Sequence, residues 1–249
     1  MKIFISPAKK INEEKVMFDN SKLTKFHFDK EVKYLVNELK EYNLSDIKNL
    51  MGLSDNLSKL NYDRYQKWNL KADNLCPAIF MFQGDVYKGL KANQLNSQQL
   101  DFAQQNLRII SGLYGMLKPL DLILPYRLEM GTKMINKSGK NLYEFWGEKL
   151  KDFILSEMKQ DEVVINLAST EYSKALKLNN IENKVITPVF KDYKNGSLKV
   201  ISFYAKRARG EMTNFIISNN IVNHNDLKLF NYEGYTFSGN SKNELVFTR

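Results

Sequence analysis

The chain contains short apolar runs, each bounded by residues typical of turns, and each run is predicted to form a strand. Most of these runs are too continuously apolar for a sheet with one solvent-facing side, so we expect the sheet to be largely buried. The predicted strands cover residues 2–6, 78–83, 108–111, 163–168, 184–190, 198–205 and 244–248.

Between these runs, apolar residues recur three and four positions apart, which is the spacing of one face of a helix. Val32, Leu35, Val36 and Leu39 follow this spacing. The pattern predicts helices over residues 29–42, 45–51, 54–67, 97–107, 141–158, 170–177 and 210–219. This order of elements predicts a mixed α/β (α+β) fold, in which helices flank a central sheet.

The segment Lys194-Asn195-Gly196-Ser197 joins two of the predicted strands. Asn-Gly is the preferred pair in a two-residue hairpin turn, so strands 184–190 and 198–205 should be antiparallel and the sheet mixed. The chain contains no repeat, low-complexity tract or linker composition. We therefore expect a single domain over residues 1–249.

The positive charge of the chain is distributed unevenly between lysine and arginine. The formal net charge is +9 and the isoelectric point is near 9.3, which suggests either an anionic partner or a lysine-rich solvated surface. Only six of the 37 cationic side chains are arginines. Four of these, Arg108, Arg127, Arg207 and Arg209, fall in the two segments richest in motif-like residues. A planar guanidinium binds anions with a geometry that lysine cannot offer, so we predict specific anion contacts for these four residues.

Several classes of protein are not supported by the sequence. One cysteine, Cys76, and two histidines cannot form an internal disulfide or supply a zinc or iron–sulfur ligand set. No common nucleotide-binding or hydrolase motif is present, so we expect no cofactor and no metal. No apolar run approaches the roughly 20 residues that cross a bilayer, and residues 1–6 are too short for a signal sequence. A cytoplasmic location without membrane association is expected.

Three cations, Lys206, Arg207 and Arg209, lie between the predicted strand 198–205 and the predicted helix 210–219. Cations at a helix N-terminus oppose the helix dipole unless an anion or a carboxylate is also present. This arrangement predicts an anion site, and the alternative is a charged turn screened by water. Lys9 and Lys10 form a second basic strand end that joins this site if the two strands are neighbours.

The glycine-containing turn at residues 111–115 has two interpretations. It follows the predicted helix 97–107, so it can be the hairpin of a helix-hairpin-helix element, which offers backbone N–H groups to nucleic acid. Alternatively, residues 108–111 form a strand and residues 112–115 its exit loop. Either interpretation predicts an accessible loop that carries Gly112, Tyr114, Gly115 and Lys118.

Four carboxylates occur at strand exits or beside glycines: Asp85, Asp121, Glu129 and Glu171. Converging carboxylates could serve as acid, base or Mg²⁺ ligands towards a nucleotide or nucleic-acid substrate. Taken singly, such residues are more often turn residues, helix caps or ion-pair partners. The sequence leaves this possible acidic site open.

Seven collinear strings resemble the bacterial peroxide-stress protein YaaA family, and together they extend from the first strand to the last residue. They are ISPAK (5–9), FQGDVYKGL (82–90), DFAQQNLRIISGLYGMLKPLDLILPYRLEMG (101–131), LYEFWG (142–147), VVINLAS (163–169), ISFYAKRARGEM (201–212) and ELVFTR (244–249).

The resemblance implies a cytoplasmic DNA-binding protein associated with resistance to hydrogen peroxide and with limitation of free intracellular iron. It also implies an unusual mixed α/β fold with a helix-hairpin-helix-like element, which falls on residues 101–122, and a positively charged cleft. By the matching strings, the cleft draws on Lys9, Lys10, Lys118, Arg127, Lys206, Arg207 and Arg209.

These observations predict a protein that binds nucleic acid, with double-stranded DNA favoured, through a basic cleft and with little sequence preference. In this prediction Arg108 and the glycine-turn residues hold phosphates together with the cleft cations. The alternative is an enzyme that acts on a nucleotide, nucleobase or nucleic-acid strand in the same cleft, using Asp85, Glu129 or Glu171. A third alternative is a protein-interaction role with a solvated basic surface.

Overall fold

A central mixed sheet carries the fold in the computed structural model, which describes residues 1–13, 22–70 and 74–249. The helices are α1 (Asp29–Glu41), α2 (Leu44–Met51), α3 (Asp55–Gln66), α4 (Ala78–Met81), α5 (Asp85–Leu90), α6 (Ser97–Asn106), α7 (Leu142–Trp146), α8 (Lys149–Ser156), α9 (Thr170–Ser173) and α10 (Ser202–Ser218). The strands are β1 (Lys2–Ile5), β2 (Lys10–Ile11), β3 (Cys76–Pro77), β4 (Phe82–Gln83), β5 (Leu107–Ser111), β6 (Gly115–Leu117), β7 (Leu122–Ile123), β8 (Val164–Leu167), β9 (Val185–Lys194), β10 (Ser197–Lys199), β11 (Thr236–Ser241) and β12 (Glu244–Thr248).

The order of strands in the central sheet is β11-β12-β9-β8-β1-β5-β6, and β10 also pairs with β9. The five central strands β5, β1, β8, β9 and β12 are parallel to one another. The outer strands are antiparallel to their partners: β6 to β5, β10 to β9 and β11 to β12. β1 lies between β5 and β8, with Ile3 opposite Leu107 on one side and Ile165 on the other. The predicted mixed α/β fold is confirmed.

Burial explains why the strongest sequence patterns predicted the structure well. Ile3, Phe4 and Ile5 of β1 are fully buried, as a central strand with helices on both faces requires. The four apolar residues singled out in α1 are also buried. The Asn-Gly hairpin is confirmed, because Ser197 pairs with Lys194 and both Asn195 (φ 53°) and Gly196 (φ 77°) have the left-handed backbone that such a turn needs.

The predicted elements differ most from the structure at three places. Residues 78–83 form the short helix α4 and the two-residue strand β4 instead of one strand. The predicted helix 141–158 is divided into α7 and α8 at Gly147, whose φ of 50° ends the first helix. The predicted strand 198–205 is wrong beyond Lys199, since α10 begins at Ser202 and runs without a break to Ser218.

Helices α5 and α10 cross in close contact through two glycines. A Cβ atom on Gly210 would lie 1.8 Å from the carbonyl oxygen of Val86, and one on Gly89 would lie 2.3 Å from the carbonyl oxygen of Arg207. Both distances are far below van der Waals contact, so only glycine permits this separation of the two backbones. The crossing fixes the position of α5 relative to the first half of α10.

Candidate functional site

A cavity of about 320 Å³ opens at the carboxyl edge of the sheet, beyond the ends of β1 and β8. β1 pairs with β5 on one side and with β8 on the other, so the sheet is extended in both directions from β1. The loops that leave β1 and β8 therefore diverge, and crevices of this kind are where open α/β sheets bind ligands. We call this cavity the carboxyl-edge pocket.

The floor of the pocket is fixed by hydrogen bonds between the two strand exits. The backbone N–H of Ser169 donates to Oγ of Ser6 at 2.9 Å, and the two hydroxyl oxygens lie 3.2 Å apart. The Tyr87 hydroxyl, on α5, donates to the carbonyl oxygen of Ser6 at 3.2 Å. Ser6 and Ser169 were not among the predicted site residues, although each lies within two residues of the end of an apolar strand, which was a usable signal.

Four of the predicted cations line the pocket: Lys9, Lys10, Lys206 and Arg209. The structure thus brings the two basic segments together, but not as the ends of neighbouring strands, because β10 pairs with β9 and β1 with β5 and β8. However, Lys206 and Arg209 lie inside α10 rather than at its N-terminus, which is at Ser202. Free backbone N–H groups of α10 therefore do not contribute to the pocket, and its positive character comes from side chains.

Arg209 differs from the other five arginines of the chain in its surroundings. Each of the others pairs with a carboxylate, in the pairs Arg64–Glu13, Arg108–Glu157, Arg127–Glu129, Arg207–Glu211 and Arg249–Asp192. Within the described ranges, no carboxylate lies within ion-pair distance of Arg209. The side chain is half-buried, and burial lowers the pKa of Arg209. Arg209 thus carries a partly desolvated positive charge without a counterion from the described part of the chain.

Arg127 and Glu129 lie in a narrow groove that shares Pro7, Ala8 and Lys9 with the pocket. Oε2 of Glu129 lies 2.6 Å from Nζ of Lys9, and its Oε1 lies 3.1 Å from Nη2 of Arg127. Glu129 therefore holds two of the predicted cations together.

Two further predicted carboxylates, Asp85 and Glu171, also line the pocket. Oε1 of Glu171 accepts a hydrogen bond from the backbone N–H of Gly131 at 2.9 Å. Asp85 lies 3.9 Å from Nζ of Lys88, one turn along α5. Both carboxylates are partly exposed, so each can reach a molecule in the pocket.

Arg207 does not join the pocket cations, although the sequence grouped it with them. Its Nε lies 2.9 Å from the buried carboxylate of Glu211, and its Nη2 lies 3.0 Å from Glu233. A helix rotates by about 100° per residue, so neighbours such as Lys206 and Arg207 point in different directions. Arg207 instead links α10 to the segment that precedes β11.

The predicted accessible glycine turn is wrong. Ser111 pairs with Gly115 across a hairpin between β5 and β6, and Gly112, Tyr114 and Gly115 are all buried. The Tyr114 hydroxyl accepts a hydrogen bond from the backbone N–H of Leu124 at 2.9 Å. The strand interpretation of residues 108–111 is confirmed, and β6 stands where a helix-hairpin-helix element needs its second helix. These three residues are therefore not placed to contact nucleic acid.

Arg108, Lys118 and Asp121 also lie outside the carboxyl-edge pocket. Glu157 binds both cations, with distances of 2.7 Å to Nε of Arg108 and 2.8 Å to Nζ of Lys118. Burial alone would raise the pKa of Glu157, but the hydrogen bonds from these two cations outweigh it and lower that pKa. Asp121 is buried and accepts hydrogen bonds from the Thr24 hydroxyl and the Lys118 backbone N–H, and burial raises its pKa.

Lys118, Asp121 and Glu157 line a separate cavity of about 360 Å³ that shares no residue with the carboxyl-edge pocket. Arg108 is almost completely buried, like every other residue of β5. Its charge is satisfied internally by Glu157. Arg108, Lys118 and Asp121 are therefore not part of the candidate site.

In residues 1–13, 22–70 and 74–249, no group of three histidine, cysteine or carboxylate side chains is arranged to hold a metal ion. No helix in these ranges has both the length and the apolar character needed to cross a membrane.

Comparison with known proteins identifies the family. The family described as peroxide stress protein YaaA matches residues 1–241. The chain belongs to the peroxide stress protein YaaA family. The resemblance found from the sequence strings is thus confirmed, and family membership supports a role in oxidative stress.

Relatives from several bacteria match over nearly the whole chain. A UPF0246 protein of Flavobacterium johnsoniae is 49% identical over 253 residues and covers 100% of both chains. A UPF0246 protein of Dechloromonas aromatica is 49% identical over 241 residues, covering 95% of this chain and 93% of its own length. One from Saccharophagus degradans is 47% identical and covers 100% of this chain and 99% of its own.

Proposed function

We propose that this protein acts in the cytoplasm during peroxide stress by binding double-stranded DNA, with little sequence preference, and so limits iron-dependent damage. The binding site is the carboxyl-edge pocket together with the adjoining groove of Arg127 and Glu129. We call this combined surface the basic cleft.

The observation that carries the proposal is the state of Arg209. A guanidinium keeps its charge at any physiological pH, and removing that charge from water is unfavourable unless an anion compensates it. Since the other arginines each have a carboxylate and Arg209 has none among the described residues, its charge is best matched by an anionic ligand. A phosphate accepts the parallel N–H groups of a guanidinium in two hydrogen bonds.

The surrounding cations favour a ligand with several phosphates over a single small anion. Lys10 and Lys206 are exposed and have no ion pair among the described residues. Lys9 and Arg127 share Glu129, which a phosphate could replace as their partner. Backbone phosphates are equivalent along a duplex, so contacts of this type give affinity without sequence preference.

The salt dependence of DNA binding tests the proposal. The logarithm of the association constant should fall against the logarithm of salt concentration with a slope of about −3 if Lys10, Lys206 and Arg209 each neutralise one phosphate. The slope should approach about −4.5 if Lys9 and Arg127 also exchange Glu129 for phosphate. Fluorescence anisotropy of a labelled duplex at several salt concentrations measures this value.

A matched pair of charge reversals shows whether the effect belongs to the cleft. Lys206→Glu should weaken binding at least about tenfold, because it removes a phosphate contact and adds repulsion. It should also make the negative slope shallower by about one to two. Lys159→Glu makes the same charge change at an exposed site before the amino end of β8, and should change affinity by less than about threefold. Equal effects of the two variants, or a slope near zero, would refute the proposed cleft.

An enzyme acting on a nucleotide, nucleobase or nucleic-acid strand is the second candidate function. It is favoured by the presence of Asp85 and Glu171 in the same pocket as Arg209, with Glu129 in the adjoining groove. Neutralising them as Asp85→Asn and Glu171→Gln should leave DNA binding unchanged or strengthen it if the cleft only binds. If these variants instead abolish processing of a DNA or nucleotide substrate that the wild type converts, the enzymatic function is established.

A further inference from the structure

The guanidinium of Arg209 makes no hydrogen bond within the part of the chain that the structure describes. The backbone carbonyl of this residue accepts a hydrogen bond from the Thr213 hydroxyl at 2.8 Å, but that bond does not involve the side chain. A guanidinium carries five N–H donors in a planar fork. Since Arg209 lines the carboxyl-edge pocket, these donors are available to a molecule bound there.

The serine pair on the floor of the pocket supplies a further donor. Oγ of Ser6 accepts a hydrogen bond from the backbone N–H of Ser169, and the two hydroxyl oxygens lie 3.2 Å apart. One O–H bond between them uses one of the two hydroxyl protons. Neither hydroxyl donates to any other group in the described ranges, so the second proton is left for a ligand.

The depth of these donors distinguishes a small ligand from a duplex. Ser6 is buried and Ser169 is half-buried, whereas Lys10 and Lys206 at the same pocket are exposed. A phosphate within a DNA strand is esterified on both sides, so the strand must follow it into a recess. A phosphomonoester has one ester bond and can reach the floor, and its charge of about −1.5 to −2 at pH 7 suits several cations.

The other pocket residues indicate what the phosphate is attached to. Asp85 lies 3.9 Å from Nζ of Lys88, and Oε1 of Glu171 is bound by the backbone N–H of Gly131, so both carboxylates keep acceptor capacity for ligand hydroxyl or amino groups. A volume of about 320 Å³ fits a small molecule and not an oligonucleotide. Apolar and aromatic side chains complete the lining: Pro7, Ala8, Val86, Leu167 and Tyr172.

We propose that the carboxyl-edge pocket binds a free nucleoside monophosphate and that this ligand competes with DNA for Arg209. The phosphate lies on Arg209 and the free serine hydroxyl, the ribose hydroxyls face the carboxylates, and the base packs on the apolar lining. The competition rests on the proposed DNA-binding function, whereas the nucleotide site rests on the pocket alone.

Calorimetric titration of wild type with the four ribonucleoside 5′-monophosphates tests the site, with the matching nucleosides and inorganic phosphate as comparison ligands. At least one nucleotide should bind about tenfold or more tightly than its nucleoside, which lacks the charged hydrogen bonds to Arg209. The same nucleotide should exceed inorganic phosphate by a similar factor, because inorganic phosphate has neither ribose nor base. This comparison needs no variant and therefore does not depend on the folding of one.

Ser169→Ala should weaken nucleotide binding about 3- to 10-fold, because it removes one hydroxyl of the pair. Ser138→Ala is the control, since Ser138 is exposed and lies outside the pocket, and it should bind the nucleotide as wild type does. Denaturant unfolding of both variants confirms that the comparison is made between folded proteins.

Displacement of a labelled duplex at constant ionic strength tests the competition. Nucleotide at about ten times its dissociation constant should weaken duplex binding by wild type about tenfold. If no nucleotide binds more tightly than inorganic phosphate and its nucleoside, the nucleotide site is overturned while duplex binding stands. A nucleotide that binds without displacing the duplex overturns the shared use of Arg209. If the nucleotide binds and the duplex does not, the proposed DNA-binding function fails and the nucleotide site stands.

Discussion

Gly210→Ala is expected to lower the free energy of unfolding by about 2–3 kcal/mol and to weaken DNA binding as well. The new Cβ atom would lie 1.8 Å from the carbonyl oxygen of Val86, so α5 and α10 must move apart. In an unobstructed helix the same substitution would stabilise the protein by up to about 1 kcal/mol. The expected change in the free energy of unfolding is therefore a loss, whereas helix propensity alone predicts a gain.

The crossing also explains why binding should suffer. Asp85 and Val86 of α5 form one side of the carboxyl-edge pocket, and Lys206 and Arg209 of α10 form another. Separating the two helices changes the distances between these groups. Because a guanidinium binds phosphate through two hydrogen bonds of defined geometry, this change should weaken the contact.

Gly52→Ala is the control for this prediction. Gly52 ends α2 with a φ of 60°, and no atom lies within 4 Å of the position of an added Cβ. Its replacement by alanine therefore introduces only backbone strain, which costs about 1 kcal/mol. Denaturant unfolding of both variants, with anisotropy on the same samples, gives the comparison. If Gly210→Ala is no more destabilising than Gly52→Ala, the close crossing of α5 and α10 is incorrect.

Continuous apolar runs predicted the centre of the sheet because those strands are buried on both faces. β1, β5 and β8 have few polar positions, and at most one residue in each of them is not fully buried. The Asn195-Gly196 turn was equally predictable, since its backbone conformation is local and depends on the two residues themselves.

The first half of α10 could not be predicted from local pattern. Residues 198–205 are apolar and partly β-branched, which favours a strand, yet Ala205, Ala208 and Met212 form a buried helical face. That face becomes decisive only when α5 packs against α10 at Gly210, and this tertiary contact is not visible in the sequence.

The candidate site was partly predictable for a topological reason. Lys9, Lys10 and Glu171 follow buried strands, and the exits of parallel strands meet at one edge of a sheet. Gly112, Tyr114 and Gly115 were misassigned because glycines and aromatic residues also accumulate where a hairpin is tightly packed in a core. Nothing in the sequence reveals that Glu157 pairs with Arg108, since the two residues are 49 positions apart.

Arg209→Met is expected to weaken DNA binding about 10- to 100-fold while leaving the free energy of unfolding unchanged or raising it by up to about 1 kcal/mol. The loss of affinity corresponds to hydrogen bonds with a charged group, which contribute about 1.5–3 kcal/mol. Stability should not fall, because methionine fills the space of the arginine stem and removes a half-buried charge that has no partner in the described part of the chain.

Arg108→Met makes the same substitution where the charge is paired, and the opposite result is expected. Arg108 is almost fully buried against Glu157, so its loss leaves that carboxylate with Lys118 alone and should lower stability by about 2–3 kcal/mol. DNA affinity of the folded variant should remain near wild type, because Arg108 lies outside the carboxyl-edge pocket. Denaturant unfolding and duplex anisotropy on both variants therefore separate an arginine held for a ligand from one held by the fold. If Arg209→Met destabilises the protein as strongly as Arg108→Met and binds DNA normally, Arg209 is a structural residue and the basic cleft loses its central contact.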